Sequence, residues 1–150
     1  MTNKAYRGKF RPENPSKYAG DPSNIVYRSL WERKVMVYLD KHESVISWGS
    51  EEFAIPYVSP VDRKTHRYFP DFIVRVRTKE GKIKTVVWEI KPHRQTKEPV
   101  KKSRVTRQYV TEVMTYGIIE AKWKAAQNFC ADRGWEFRLI TEKELGITNK

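Results

Sequence analysis

The sequence predicts an α/β domain: a mixed four- or five-stranded sheet flanked by helices, with an extended basic arm at its N-terminus. Three observations carry that reading. Phe72, Val74 and Val76 alternate with Ile73, Arg75 and Arg77, the period-2 pattern of a strand with one apolar face. Residues 83–90 are nearly continuous in apolar character around Val86, Val87 and Trp88, as a central strand should be. Helix-type stripes flank this strand block, in residues 25–41 before it and in 118–133 after it.

In chain order, residues 1–24 form the arm and 25–150 the domain. The arm holds Lys4, Arg7, Lys9, Arg11 and Lys17 with Pro12, Pro15 and Pro22, and shows no sustained period. Its aromatic residues Tyr6, Phe10 and Tyr18 favour docking on the domain over a free terminus. Residues 25–41 read as a helix on Trp31, Val35, Tyr38 and Leu39, with Ser29 able to cap a shorter version. Glu32, Met36 and Leu39 share one stripe, which turns Glu32 toward the apolar side. Residues 45–58 read as one strand bent near Gly49, with Pro56 marking an edge or a strand end. Residues 58–64 are a hairpin-type loop and 67–77 the next strand. Lys79-Glu80-Gly81-Lys82 is a tight turn in which Gly81 suits a positive φ. Residues 92–108 are a basic loop, and 109–116 fit strand or helix equally. Ile119, Trp123, Ala126 and Cys130 make the late helical stripe, which Gly134 ends. Residues 135–140 are a last strand, and Thr141-Glu142-Lys143-Glu144 has the form of a capping box.

Charge narrows the function. Lys plus Arg number 30 against 18 Asp plus Glu, a formal net charge of +12. Such an excess favours a polyanion through counterion release, and nucleic acid is the natural candidate. The single cysteine, Cys130, excludes an internal disulfide and a cysteine-rich zinc site. No apolar run reaches the ~18 residues of a membrane span, and the basic N-terminus lacks the apolar core of a secretory signal.

Within this basic chain four residues stand apart: Glu32, Asp71, Glu89 and Lys91. Asp71 opens one strand and Glu89 nearly ends its partner. With Thr78 opposite Ile83 the two strands bring Asp71 near Ile90, one position from Glu89. Two carboxylates that close repel each other unless a cation lies between them. Magnesium, with manganese as a substitute, accepts one or two carboxylates and keeps several waters. Asp71 and Glu89 would supply carboxylate oxygens, Ile90 its backbone carbonyl, and Glu32 a ligand to the metal or its water. A salt bridge from Glu32 to Arg28 or Arg33 is the competing reading. Lys91, two residues beyond Glu89, projects from the same sheet face and could orient the attacking water. A bound divalent cation serves phosphodiester hydrolysis by activating water and by neutralising both the phosphate and the leaving oxygen. A second Glu-x-Lys, Glu120-Ala121-Lys122, lies in a helical segment without a paired Asp and reads as a chance match.

Around these four, His66, Arg67, His93, Arg94, Lys122 and Lys124 are candidate DNA contacts. Lys122, on the late helix, is the best placed to point into the site. Glu51 and Glu52 fit strand-edge solvation better than metal binding.

Glu32, Pro70-Asp71 and Glu89-Ile90-Lys91 together reproduce the restriction-endonuclease-like PD-(D/E)xK pattern. Arg67-Tyr68-Phe69-Pro70-Asp71-Phe72, with Lys122-Trp123-Lys124-Ala125-Ala126 and Gly134-Trp135-Glu136-Phe137, resembles the TnsA-type endonuclease subgroup. Lys4 through Pro12 and Tyr27-Arg28-Ser29-Leu30-Trp31-Glu32-Arg33 extend the similarity, nearly end to end, to the head completion nucleases of contractile-tailed bacteriophages. That resemblance implies a restriction-endonuclease-like core and magnesium-dependent cleavage of double-stranded DNA. It implies trimming of packaged DNA ends, with head or portal proteins as partners, in the host cytoplasm during assembly and in the virion head. A structural head-completion protein that binds without cutting and a TnsA-type transposition endonuclease are the alternatives.

Overall fold

The computed structural model describes residues 7–101 and 103–146. Lys4 and Tyr6 of the expected arm lie outside them. The chain runs β1 (Gly8–Phe10), β2 (Ile25–Tyr27), α1 (Leu30–Lys41), β3 (Val45–Ser50), β4 (Ile55–Val58), β5 (Thr65–Tyr68), β6 (Phe72–Arg77), β7 (Ile83–Ile90), α2 (Arg107–Asp132), β8 (Glu136–Ile140) and α3 (Glu142–Leu145). The main sheet has four strands in the order β3-β6-β7-β8. β3, β6 and β7 are antiparallel neighbours, and β8 joins β7 in parallel. A parallel pair needs a long crossover, and α2 is that crossover. The sheet is therefore mixed and flanked by helices, as the sequence predicts.

Alternation along the strands separates two faces. On one, Trp48, Phe72 and Val74 join Val35, Met36 and Leu39 of α1 and Phe10, Tyr18 and Ile25 of the N-terminal segment in a single core, with Trp88 and Ile90 against it. Trp48 takes Tyr18 edge-on at 4.7 Å and Phe10 at 5.9 Å between ring centroids. Docking of the arm through Phe10 and Tyr18 is thus observed. Asp40, fully buried near the end of α1, accepts the backbone N–H groups of Glu13 at 2.7 Å and Asn14 at 3.0 Å. The Lys17 ammonium donates to the carbonyls of Asp40 at 3.1 Å and His42 at 2.8 Å, satisfying acceptors that a helix end leaves open.

The other face is covered by α2 and the β4–β5 hairpin, a separate two-stranded sheet. Ile55, Tyr68 and Ala126 form its buried centre, bordered by Phe53, Tyr57, Phe129 and Phe137. Among the described residues, no helix is long and apolar enough to cross a membrane.

Several expected boundaries move, each for a local reason. Residues 25–27 are a strand paired with β1, not the start of a helix. The Ser29 side chain accepts the Glu32 N–H, and the β-branched pair Ile25-Val26 suits the ladder. The single strand expected over 45–58 is two strands in two sheets. The chain turns out of the main sheet at Glu51, whose φ of 52° ends extended geometry. Residues 67–77 divide in the same way at Phe69-Pro70-Asp71. Pro70 has no N–H to give a ladder and restricts Phe69 before it. The β6–β7 register differs by one residue from that expected: Arg77, not Thr78, faces Ile83. Thr78 N–H bonds Lys82 O and Gly81 N–H bonds Thr78 O, so the loop uses five residues, with Gly81 at φ 82°. Finally α2 starts at Arg107, capped by the Thr106 side chain. Its first half buries nothing, which is why no apolar stripe announces it.

Candidate active site

Asp71 and Glu89 meet at one end of the sheet, on the α2 side. Pro70 is fully buried and anchors the approach to β6. The Asp71 carbonyl accepts Glu51 N–H at 3.1 Å, which carries the β3–β6 ladder one residue further. With Phe72 opposite Trp88, Asp71 falls opposite Glu89 itself rather than Ile90. The one-residue change of register tightens the pair. Asp71 Oδ2 accepts the Ile90 N–H at 2.7 Å. Glu89 Oε1 accepts the Tyr68 hydroxyl at 2.6 Å and the Asp71 N–H at 3.4 Å. The second oxygen of each carboxylate has no hydrogen-bond partner among the described residues.

The electrostatics follow from this placement. Glu89 is buried and Asp71 half-buried. Burial, then the Glu89 charge, hold the Asp71 carboxyl well above the usual carboxylate range. Burial also raises Glu89; the Tyr68 hydroxyl and the Lys91 charge oppose it, followed by the Asp71 N–H and the Lys122 charge. The Tyr68 hydroxyl is pushed far up by burial and by the Glu89 charge, so it stays a donor. Among the described residues no Arg or Lys forms an ion pair with either carboxylate. Two like charges held together without a counter-ion are unfavourable as they stand, and a cation would relieve them.

Glu32 reaches this pair only through its field. It lies in the first turn of α1, and its Oε1 accepts the Arg28 backbone N–H at 3.2 Å. Its charge adds to the rise of Asp71, while burial raises Glu32 in turn. The expected alternative, a Glu32–Arg28 salt bridge, is replaced by an Arg28–Glu51 ion pair. Glu51, read from sequence as a strand-edge residue, lies close enough to raise both Glu32 and Asp71. The described residues contain no cluster of three or more His, Cys, Asp or Glu side chains arranged to hold an ion. Glu32 is therefore not brought into a three-carboxylate set with Asp71 and Glu89. The donor set is two carboxylates and neighbouring backbone, all hard oxygen. It fits magnesium, which needs few protein ligands and keeps its waters.

The basic candidates separate by position. Lys91 follows β7 directly, and its N–H continues the ladder to Ile140 O at 3.0 Å. Lys122 points inward from α2, its ammonium 5.7 Å from the Tyr57 ring centroid and 5.8 Å from that of Tyr68. Lys124 is exposed, and two helical residues on from Lys122 it lies on the opposite side of α2. His66 is paired with Asp62 at 2.8 Å on the exposed hairpin and lies 5.8 Å from the Tyr57 ring. Arg67, on the other face of β5, covers the half-exposed Phe69 ring at 5.5 Å. His93 and Arg94 lie in a short 3-10 turn after Lys91, where the His93 N–H donates to Glu142 Oε1 at 2.7 Å.

Tyr68 is the residue that sequence reasoning misses. Its strand belongs to a different sheet from Glu89, and no period in the sequence relates two sheets. The one available signal is its place three residues before Asp71, ahead of a proline that turns the chain into the main sheet.

Comparison with known proteins gives a family and a relative. The family described as TnsA-like endonuclease N terminal matches residues 42–142, which include Asp71, Glu89 and Lys91 but not Glu32. The chain is also 41% identical over 145 residues to the head completion nuclease of Enterobacteria phage T4, covering 94% of each chain.

Proposed function

The chain belongs to the TnsA-like endonuclease family, and from that premise we propose that it is a phage head-completion nuclease using magnesium held by Asp71 and Glu89 to cut DNA. The observation that carries this reading is the opposed Asp71–Glu89 pair, Glu89 buried and Asp71 half-buried, with no ion-paired base among the described residues. The Ile90 carbonyl would complete the protein ligands. Magnesium bound there would supply an acidified water and charge neutralisation at the phosphate. Manganese, a similar oxygen-seeking ion, would substitute.

The chain's own groups do the rest. Lys91 orients the attacking water from the face it shares with Glu89 and offers positive charge to the phosphate oxygen. Glu32 holds a water at the margin of the site. Lys122 and the basic residues His93 and Arg94 steer the phosphodiester backbone. His66 and Arg67 extend this contact along the hairpin, and Lys124 gives diffuse attraction. The substrate is double-stranded DNA at the packaged end, and head or portal proteins are the partners that present it during assembly in the host cytoplasm.

A magnesium-dependent plasmid-cleavage assay tests the enzyme. Asp71→Ala, Glu89→Ala and Lys91→Ala each lose cleavage, by roughly a thousandfold or more. DNA affinity changes little, because the +12 charge is spread over the chain. Loss of binding in step with loss of cleavage would overturn these roles. A wild-type chain that binds DNA but never cuts it would instead be a structural head protein.

A further inference from the structure

Tyr57 and Tyr68 both face Lys122 from the β4–β5 hairpin, at nearly equal ring distances. They differ in what their hydroxyls do. The Tyr68 hydroxyl donates to Glu89 Oε1 at 2.6 Å, inside the buried part of the site. The Tyr57 hydroxyl makes no hydrogen bond among the described residues. The two residues lie in adjacent strands of one hairpin, with Tyr57 opposite His66 and Tyr68 opposite Ile55. One therefore serves as an internal control for the other.

A glutamate carboxylate turns easily about its last bond, since that torsion is broad and two-fold. Burial alone does not choose which oxygen faces the neighbouring Asp71. The Glu89 contacts do choose. Oε1 takes both the Tyr68 hydroxyl and the Asp71 N–H, and Oε2 is left without a partner among the described residues. We propose that Tyr68 is a positioning residue that locks the Glu89 carboxylate so that Oε2 is the oxygen offered to a divalent cation. Groups that hold a metal ligand in place from behind commonly change metal affinity or activity by about 10- to 100-fold when removed. The hairpin then contributes to the site even though it belongs to neither strand that carries the carboxylates. Its other tyrosine keeps Lys122 company without touching the ligand.

This inference rests on the Asp71–Glu89 metal reading, and one experiment separates the two. Manganese alone is titrated calorimetrically into the full-length wild-type chain and into Tyr68→Phe, Tyr57→Phe and Asp71→Asn. Phenylalanine keeps the ring against Lys122, and thermal melts verify that each variant is folded. Tyr68→Phe should weaken manganese binding about tenfold or more, while Tyr57→Phe stays at the wild-type value. DNA affinity measured without metal should be the same for both. Cleavage by Tyr68→Phe should recover toward wild type as magnesium is raised, which general damage to the fold would not allow. If Tyr68→Phe binds manganese like wild type while Asp71→Asn loses it, the positioning role is wrong and the metal reading stands. If Asp71→Asn also binds like wild type, both fall.

Discussion

The two faces of the central sheet are built from neighbouring residues of the same strands and have opposite characters. Phe72 and Trp88 turn toward α1 and the N-terminal segment, into a core of Trp48, Met36, Leu39, Phe10 and Tyr18. Asp71 and Glu89, one residue away in each strand, turn toward α2 and the hairpin. The α1 face is apolar, and its buried Asp40 is satisfied by backbone N–H groups. The α2 face keeps two carboxylates together, their second oxygens without a hydrogen-bond partner among the described residues. Stability resides on one side of a layer a single residue thick, and the proposed chemistry on the other. The bulk of the first face holds fixed a charge arrangement that would otherwise relax.

Substitutions on the two faces should therefore fail in different ways. The largest expected effect on stability is Trp48→Ala, which opens a cavity between the arm, α1 and the sheet and should cost about 3–5 kcal/mol in chemical denaturation. Asp40→Ala should cost about 2 kcal/mol by leaving the Glu13 and Asn14 N–H groups without their acceptor. If Asp40→Ala melts like wild type, the arm is not fastened there.

On the reactive face the sign reverses. Asp71→Asn keeps an acceptor for the Ile90 N–H and removes one charge of the pair. In chelator it should stabilise the fold by about 1 kcal/mol while eliminating cleavage. The pH dependence follows from the same charges. Asp71 and Glu89 both stand above their ordinary values, so the folded chain binds these protons more tightly than the unfolded chain. The penalty on the folded state therefore grows as pH rises above the ordinary carboxylate range near about 4, and it fades as pH falls back toward that range. In chelator, wild type should gain stability relative to Asp71→Asn as pH drops from 7 to about 5. Magnesium at pH 7 should give a similar gain. Parallel melting curves for the two proteins across that range would show that the pair is not strained.

The smallest effect concerns Cys130, on the buried side of α2. Burial pushes its thiol up to about 11. Alkylation of the folded chain at pH 8 should be slow and should speed up only on unfolding, because the thiolate is the reactive form. Fast labelling of the native protein would mean that α2 lifts from the sheet.

How much of this was legible in the sequence depends on range. Alternation in residues 72–77, the apolar run to Ile90, the turn at Gly81 and the Thr141 capping box are local patterns, and each appears where it was read. So does the Ser29 cap that sets Glu32 in the first turn of α1. Four features were not legible, and all but the register depend on partners distant in sequence. The hairpin leaves the main sheet at Glu51 and returns at Pro70, although residues 45–58 and 67–77 each read as continuous. The register depended on loop hydrogen bonds at Thr78. Tyr68, and the pairing of Arg28 with Glu51 rather than Glu32, required knowing which segments fold over the site.

One feature bears on how such a protein is made. β8 is the parallel neighbour of β7, yet 45 residues separate Ile90 from Glu136. Before residues 136–140 are made, β7 is an edge strand paired only with β6. Only when residues 136–140 emerge does the sheet close around the two carboxylates. The surroundings of Glu89 are therefore complete only once residues 136–140 are available to pair with β7.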